Sequence, residues 1–188
     1  MSLTNNYILG SHNSLSYLPI KYWYQRVTAL WARCQSKTLK EQYDSGVRLF
    51  DIRVRFDKHN NIVFCHNKTI FKYDTMDLFK DFSSFEDTCY VRFILDIRKK
   101  PKNSELLKQK FLDFVRSFSY LNNVIISHAI VFWEWDNYFG CKINIIEANI
   151  TKYNFLPPKW HAKLVNEQLN KLPLFGDGNN GCILMNYV

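Results

Sequence analysis

The sequence predicts an α/β fold arranged in layers or as a barrel, and three observations support this prediction. Short runs rich in apolar and β-branched residues alternate with segments of helical character. The chain has 188 residues, whereas a complete eight-stranded α/β barrel usually needs about 250. Charged residues collect near the ends of several predicted strands, where α/β barrels build their sites. We therefore expect a single domain, residues 1–188, and a barrel that is reduced or incomplete.

Strands are predicted where short apolar runs are bounded by turn-forming residues. They span Tyr7–Gly10, Val47–Phe56, Ile62–His66, Tyr90–Arg98, Asn123–Phe132, Lys142–Ile150 and Cys182–Val188. The segment DKHNN at 57–61 is rich in turn-forming residues, so the second and third strands should form a hairpin.

Helices are predicted between these strands, where apolar residues recur at helical spacing. They span Ile20–Ala32, Thr38–Ser45, Thr75–Phe82, Ser104–Phe118 and His161–Leu172. Ser104 is the expected N-cap of the fourth helix.

The composition is that of an ordinary globular protein. Hydrophobic residues make up 47% and charged residues 22% of the chain, which excludes a largely disordered protein. The net charge of +8 favours anionic partners such as phosphate esters, nucleic acid or an acidic membrane surface. No recognised nucleic-acid motif accompanies the charge, so nucleic acid is not expected as a partner.

The five cysteines are widely spread, and none has the spacing of a CxxC motif or a Cys/His zinc site. Neither a disulfide framework nor a zinc site is indicated, and reduced thiols in a cytoplasmic protein are expected. The first ten residues, MSLTNNYILG, lack a basic region followed by an apolar run, so no signal peptide is expected. The apolar runs are also too short for a membrane-spanning helix, which needs roughly 18 residues.

The predicted strand at 47–56 separates apolar from charged side chains. Its apolar face would carry Phe50, Ile52, Val54 and Phe56, and its charged face Asp51, Arg53 and Arg55. In an antiparallel sheet the charges would simply face solvent. In a parallel barrel they would point inward, toward the end of the barrel where active sites lie.

Polar residues stand at or near the ends of four predicted strands. They are His12 in GSHNSLSYL, the pair Asp51 and Arg53, His66, and the pair Asp96 and Arg98. Two imidazoles beside a guanidinium suit the cleavage of a phosphodiester. One histidine removes a proton from the attacking hydroxyl, the other protonates the leaving oxygen, and the arginine stabilises the charge that develops on phosphorus.

The segments GSHNS, GVRLFDIRVRF and IVFCHN resemble motifs of the X-domain family of phosphatidylinositol-specific phospholipases C. The likeness covers about residues 7–100, with a weaker likeness in CILMNYV at the C-terminus. The separation of 13 residues between Arg53 and His66 (66 − 53) is similar to that in secreted bacterial members. The resemblance implies a barrel-like phosphodiesterase fold and cleavage of phosphatidylinositol or a similar phosphodiester.

The same resemblance implies a role for each matching residue. His12 falls on the general base, His66 on the general acid, and Arg53 on the arginine that bacterial members use where eukaryotic members hold calcium. Asp51 precedes that arginine as in the bacterial pattern, while Asp96 and Arg98 are expected to bind substrate. Two arginines at positions of calcium ligands would repel a dication, so neither a metal nor another cofactor is expected.

Two positions depart from the bacterial pattern. Asn13 stands where those members have an aspartate, and Asn186 stands where an aspartate orients the general base. An amide can hold an imidazole in place but does not stabilise the imidazolium that forms, a defect that is severe in serine proteases. The alternative is therefore a catalytically impaired module that binds a phosphate or phospholipid on the same fold.

The segment SYLPIKYWYQRVTALWARC has two interpretations. It could pack on the barrel as an ordinary amphipathic helix, or it could face lipid, because Trp and Tyr favour the membrane interface and Lys and Arg favour anionic headgroups. Its Pro-Ile-Lys followed by Trp resembles the membrane-docking helix of secreted bacterial enzymes. Ile20 and Trp23 are therefore candidate membrane contacts of a peripheral protein.

Two further histidines are not expected to be catalytic. His59 lies in the predicted hairpin turn and should be solvated, and His128 lies in an apolar strand and should belong to the core.

Overall fold

A computed structural model of the protein describes residues 7–97, 101–130, 144–147 and 181–185. The strands are β1 (Tyr7–Ser11), β2 (Leu49–Phe56), β3 (Ile62–His66), β4 (Thr69–Ile70), β5 (Cys89–Leu95), β6 (Val124–Ile130), β7 (Asn144–Glu147) and β8 (Gly181–Met185). The helices are α1 (Arg26–Ala32), α2 (Leu39–Asp44), α3 (Thr75–Ser83) and α4 (Ser104–Ser117), with 3₁₀ turns at Trp23–Gln25 and Phe118–Tyr120. Within these ranges, no helix has both the length and the apolar character needed to cross a bilayer.

The sheet is mainly parallel. Strands β7, β8, β1, β2, β5 and β6 follow one another in that order and all run in the same direction. The strands β3 and β4 are antiparallel additions on β2. In the described part of the chain β6 and β7 form no pair with each other, so the sheet is open. The α/β prediction and the expectation of a reduced barrel are confirmed.

The predicted separation of faces along β2 is confirmed. Phe50, Ile52 and Val54 are completely buried and belong to the main apolar core with Phe93 and Phe111. Asp51 is also completely buried, on the opposite face of the strand. Arg53 and Arg55 on that face are half-buried, so the charged face is largely covered and is not an ordinary solvated surface.

Most element boundaries agree with the sequence predictions, and β3 agrees at both ends. The turn at 57–61 closes with a hydrogen bond from the Asp57 N–H to the Asn61 carbonyl, 2.9 Å. The expected N-cap of α4 was wrong, since Asn103 precedes the helix and Ser104 is its first residue. The predicted helix at 161–172 lies outside the described residues.

The predicted helix Ile20–Ala32 begins late, because its first residues pair with the end of β4 and the residue after it. Ile20 forms an isolated antiparallel bridge with Phe71, and the Lys21 N–H donates to the Ile70 carbonyl at 2.8 Å. Regular helix therefore follows a 3₁₀ turn that begins at Trp23. The two-residue strand β4 that imposes this pairing was not predicted.

The helix α2 and the turn after it determine where the chain begins β2. Thr38 and Glu41 form a reciprocal capping box, which satisfies N–H groups at the start of the helix. At its other end Gly46 adopts φ +94°, a conformation that disfavours side chains. The chain then reverses, and the Val47 N–H donates to the Gln42 carbonyl at 3.1 Å.

His128 belongs to the core, as predicted. It is 4% exposed, and its ring lies 6.0 Å from the ring of Phe111 on α4. Burial lowers its pKa, and the positive charges of Arg116 and Lys108 lower it further. The residue therefore resists protonation in the folded state.

We expect this histidine to make the protein sensitive to mild acid. As the pH falls through about 6.5, the ordinary pKa of histidine, His128 takes up a proton in the unfolded chain but not in the folded one. The free energy of unfolding should therefore decrease. Urea unfolding at pH 7.5 and pH 5.5 should show a smaller decrease for His128→Gln than for the parent. An equal decrease in both proteins would contradict this assignment.

Candidate active site

Two strands approach each other along one edge of β2. β5 pairs with β2 along one edge, over Leu49–Val54. β1 and β3 both pair with the opposite edge of β2. β1 pairs with Leu49 and Phe50 at its beginning, and β3 pairs with Val54–Phe56 at its end. His12 follows β1 and His66 ends β3, so the two histidines approach from opposite directions.

The direction of β3 agrees with the predicted hairpin, since β3 runs antiparallel to β2. The hairpin returns the chain toward the end of β1, and His66 reaches the site in this way.

Asp51 and Arg53 lie beside His12. The His12 Nδ1 atom is 3.4 Å from Asp51 Oδ2 and 3.5 Å from Arg53 Nη2. The Arg53 Nε donates to the same Asp51 oxygen at 3.2 Å. The carboxylate is fully buried, while the side chains of His12 and Arg53 are 15% and 16% exposed. A ligand can therefore reach the imidazole and the guanidinium. The buried carboxylate contacts both groups on the side away from solvent.

His66 is held by the last residue of α1. Its Nδ1 atom lies 2.9 Å from the Ala32 carbonyl oxygen, which can only accept, so Nδ1 carries the proton in this bond. The ring is 8% exposed, and its centroid is 6.0 Å from that of His12 with the planes nearly perpendicular. The two imidazoles are thus independently oriented and close enough to act on one small group.

Cys34 lies between the two histidines, a position that no sequence pattern indicated. Its Sγ atom is 3.9 Å from His66 Nδ1, and the residue is 3% exposed. Burial alone would raise the pKa of this thiol, but hydrogen bonds to His12 and His66 and their charges lower it to about 6. The thiol is remote in sequence from both histidines, which explains why spacing rules missed it.

The loop that carries Cys34 is tied to the loop that carries His12. Ser16 Oγ accepts the Cys34 N–H at 2.9 Å and the Gln35 N–H at 2.8 Å. The side-chain amide of Gln35 donates from Nε2 to the His12 carbonyl at 3.0 Å. These bonds fix the backbone on both sides of the site.

Asn13 lies next to the catalytic candidates in an unusual conformation. Its φ is 46°, in the left-handed region that asparagine tolerates better than most residues. Its N–H donates to Asp51 Oδ2 at 3.1 Å. Its side-chain amide is completely buried and has no hydrogen-bond partner among the described residues. Asn13 thus supports Asp51 through its main chain.

Asp96 orders the turn that follows His66. Its Oδ2 atom accepts the Asn67 N–H at 3.0 Å, and Asn67 has a left-handed φ of 54°. Asp96 also lines a pocket of about 310 Å³ together with Arg55 and Lys68. Its substrate-binding role stays a prediction. Arg98 and Asn186 lie outside the described residues, so their roles stay predictions as well.

The helix after β1 exposes its large apolar side chains and buries its small ones. Ala29 and Ala32 face the protein, whereas the outward side is highly exposed. This aromatic face consists of Trp23 (79% exposed), Tyr24, Val27, Leu30 and Trp31. Of the two predicted membrane contacts, Trp23 is fully part of it, while Ile20 is half-buried.

Curated proteins similar to this chain are bacterial enzymes. No family model matches the chain. Two proteins named 1-phosphatidylinositol phosphodiesterase, from Staphylococcus aureus strains Newman and NCTC 8325 / PS 47, are 27% identical to it over 125 residues. The match covers 64% of this chain, but only 38% and 36% of those proteins. The chain thus spans well under half the length of the curated relatives it matches.

Solved structures with a similar fold are phosphatidylinositol-specific phospholipases C. The Staphylococcus aureus structure has a TM-score of 0.61 and 17% identity, covering 98% of this chain and 87% of that chain. The Listeria monocytogenes structure has a TM-score of 0.61 and 13% identity, covering 96% and 87%. The resemblance to this family and the barrel-like fold it implied are confirmed.

Proposed function

We propose that this chain is a metal-independent phosphodiesterase that cleaves phosphatidylinositol or a similar phosphodiester. One observation carries the proposal: two separately oriented imidazoles lie 6.0 Å apart between ring centroids, beside an arginine braced by a buried carboxylate. The similar curated proteins carry the name of this activity. Because the match covers little more than a third of their length, activity and substrate are proposed and not transferred.

In the proposed mechanism His12 is the general base. With its Nδ1–H directed at Asp51, the imidazole keeps a lone pair on Nε2 for the proton of the substrate hydroxyl next to the phosphate. The resulting oxygen attacks phosphorus and forms a cyclic phosphodiester. Asp51 stabilises the imidazolium that His12 becomes, as the aspartate does in a serine-protease triad.

In the same mechanism His66 is the general acid and Arg53 stabilises the developing charge. His66 gives a proton to the leaving oxygen as the bond from phosphorus to the diacylglycerol oxygen breaks. The Ala32 carbonyl holds its Nδ1–H, so the proton that moves is the one on Nε2. Arg53 donates to the phosphoryl oxygens, whose negative charge rises in the transition state.

The contact between His12 and Asp51 bears on the alternative of an impaired binding module. That alternative rests on the amides at Asn13 and Asn186, which replace carboxylates of the bacterial pattern. A carboxylate lies beside His12 nonetheless, 3.4 Å from Nδ1. This favours an active enzyme.

The test is an assay in which phosphorus NMR monitors the release of a cyclic inositol phosphate from phosphatidylinositol. The parent protein should release it, and His12→Ala should serve as the blank. Binding of phosphatidylinositol vesicles without any turnover would favour the binding module instead.

The reaction should not depend on a metal. EDTA should leave the rate at or above its untreated value, because Arg53 already provides the positive charge that calcium would provide and hard cations require oxygen ligands. A rate that falls with EDTA and returns with added calcium would contradict the prediction. The expectation that no other cofactor is needed is tested in the same assay with dialysed protein.

We also propose that the aromatic face docks on an anionic membrane surface, where the substrate lies. Exposed Trp and Tyr with nearby cations suit the interface, and Lys21, Arg26 and Arg33 are exposed around this face. The helix ends at Ala32, which contacts His66, so docking would present the site to lipid headgroups. A cytoplasmic location with peripheral membrane binding stays a prediction.

Removing two side chains from this face should weaken membrane binding. Each large apolar side chain withdrawn from lipid costs about 1.5–3 kcal/mol, so Trp23→Ala with Leu30→Ala should lower vesicle affinity at least about tenfold. Sedimentation with phosphatidylcholine–phosphatidylglycerol vesicles measures this. Tyr120→Ala is the matched control, since Tyr120 is 83% exposed and lies outside this face. An equal loss in both proteins would exclude a specific docking face.

A further inference from the structure

The active-site candidates include three atoms that can bind a soft or borderline metal ion. The Cys34 thiol sulfur and one ring nitrogen each from His12 and His66 all lie within 4.8 Å of one another. In a tetrahedral zinc site with bonds of about 2.0–2.3 Å, neighbouring ligand atoms are roughly 3.3–3.8 Å apart. The three atoms therefore need to approach by up to about 1.5 Å, within reach of side-chain rotations.

The surroundings of both histidines suit metal ligation. A metal-binding imidazole usually donates its other N–H to a carboxylate or a carbonyl, which fixes the ring. Asp51 lies beside His12 Nδ1 at 3.4 Å, and the Ala32 carbonyl lies beside His66 Nδ1 at 2.9 Å. Both rings are thus already oriented by partners of the kind that metal-binding imidazoles have.

The charges nearby permit a dication. Arg53 is close to His12, but its charge is offset by the fully buried Asp51 carboxylate 3.2 Å away. Cys34 binds as a thiolate and cancels half the charge of the ion. The site therefore differs from a calcium site at the arginine positions, which would depend on carboxylate oxygens.

The donor set selects the metal. One thiolate and two imidazoles suit Zn²⁺, whereas calcium and magnesium require oxygen ligands. We propose that Zn²⁺ binds reversibly to His12, Cys34 and His66, and that this binding switches off the phosphodiesterase. An ion bound to both rings would hold His12 and His66 away from the proton transfers that they perform as base and acid. The binding stands on the geometry, while the inhibition rests on the proposed function.

Cobalt is the probe for binding, because a Co²⁺–thiolate bond gives a charge-transfer absorption band. One equivalent of Co²⁺ should produce the band in the parent protein, and Zn²⁺ should remove it by displacement. Cys34→Ser should lack the band and bind zinc at least about tenfold more weakly. Cys89→Ser, which replaces a buried thiol that donates to the Asp87 carbonyl elsewhere in the fold, should retain it. A missing band in the parent, or a band that persists in Cys34→Ser, would overturn the site.

X-ray absorption of the zinc-loaded parent needs no variant and guards against a folding defect in Cys34→Ser. It should detect one sulfur at about 2.3 Å and at least two nitrogens at about 2.0 Å. A shell without sulfur would overturn the site.

Inhibition is measured separately. Zn²⁺ should abolish cyclic phosphate release by the parent, EDTA should restore it, and half-inhibition of Cys34→Ser, relative to its own basal rate, should require at least tenfold more zinc. An active enzyme that binds zinc without losing activity would overturn the inhibitory role. A protein that shows the cobalt band but no turnover in any condition would refute the proposed function and leave the metal site intact.

Discussion

Replacing His12 or His66 with alanine should lower kcat by at least about 100-fold in each case, the lower range for loss of a general acid or base. In the proposed mechanism the two residues perform different steps, and each is oriented by its own partner: Asp51 for His12 and the Ala32 carbonyl for His66. Neither histidine can replace the other, because their rings are held nearly perpendicular. Cyclic phosphate release from phosphatidylinositol measures the loss.

The matched control for both variants is His59→Ala. His59 is exposed in the β2–β3 turn, so its removal should leave the rate within about twofold of the parent, as for other surface positions. The double variant of His12 and His66 should lose much less than the product of the single losses, because groups that act as a unit are not additive. A near-normal rate in either folded single variant would exclude the two-histidine mechanism.

Asp51→Asn should have a comparable or larger effect, a decrease of kcat by about 10²–10⁴, by analogy with the aspartate of a serine-protease triad. The buried Asp51 Oδ2 contacts the Asn13 N–H, the Arg53 Nε and the His12 Nδ1 together. An amide there cannot stabilise a protonated His12 or neutralise Arg53. In the proposed mechanism Asp51 is a positioning residue, since it acts on substrate through His12 and Arg53.

The pH profile distinguishes this role from a purely structural one. Loss of the carboxylate lowers the pKa of His12, because the imidazolium loses an adjacent opposite charge. The acidic limb of kcat/KM should therefore move to lower pH in Asp51→Asn and stay in place in Asp113→Asn, a variant on the exposed surface of α4. If Asn186 is the residue that orients His12, Asn186→Ala should instead carry the large loss and Asp51→Asn only a small one.

Local patterns in the sequence were sufficient for most of the fold. Alternation along 47–56 predicted which face of β2 carries Asp51 and Arg53, and the turn residues at 57–61 predicted the hairpin. Both features are determined by residues that are close in sequence. Alternation with a period of two and the residue types of a turn can therefore be recognised in a short segment. The two-residue strand β4 was missed, because it exists only through pairing with β3 and the segment around Ile20.

The site was predicted only in part, because several of its contacts join distant segments. His12, Arg53 and His66 belong to the sequence motifs and were predicted as candidates, and the structure brings them close together. Cys34 was not predicted, since its position follows from the bonds of Ser16 to the loop after α1. The Ala32 carbonyl that holds His66 belongs to the backbone, and any residue type could provide it.

The hairpin of β2 and β3 places Asp51, Arg53 and His66 in one short continuous stretch of chain. Along β3 neighbouring side chains alternate faces, so a slip of one residue against β2 would exchange the positions of Cys65 and His66. The position of His66 relative to Arg53 therefore depends on the number of residues in the turn between the two strands more than on which residues they are. In evolutionary terms, we expect the turn at 57–61 to accept many substitutions and to reject single-residue insertions, so that spacing is the inherited feature of this site.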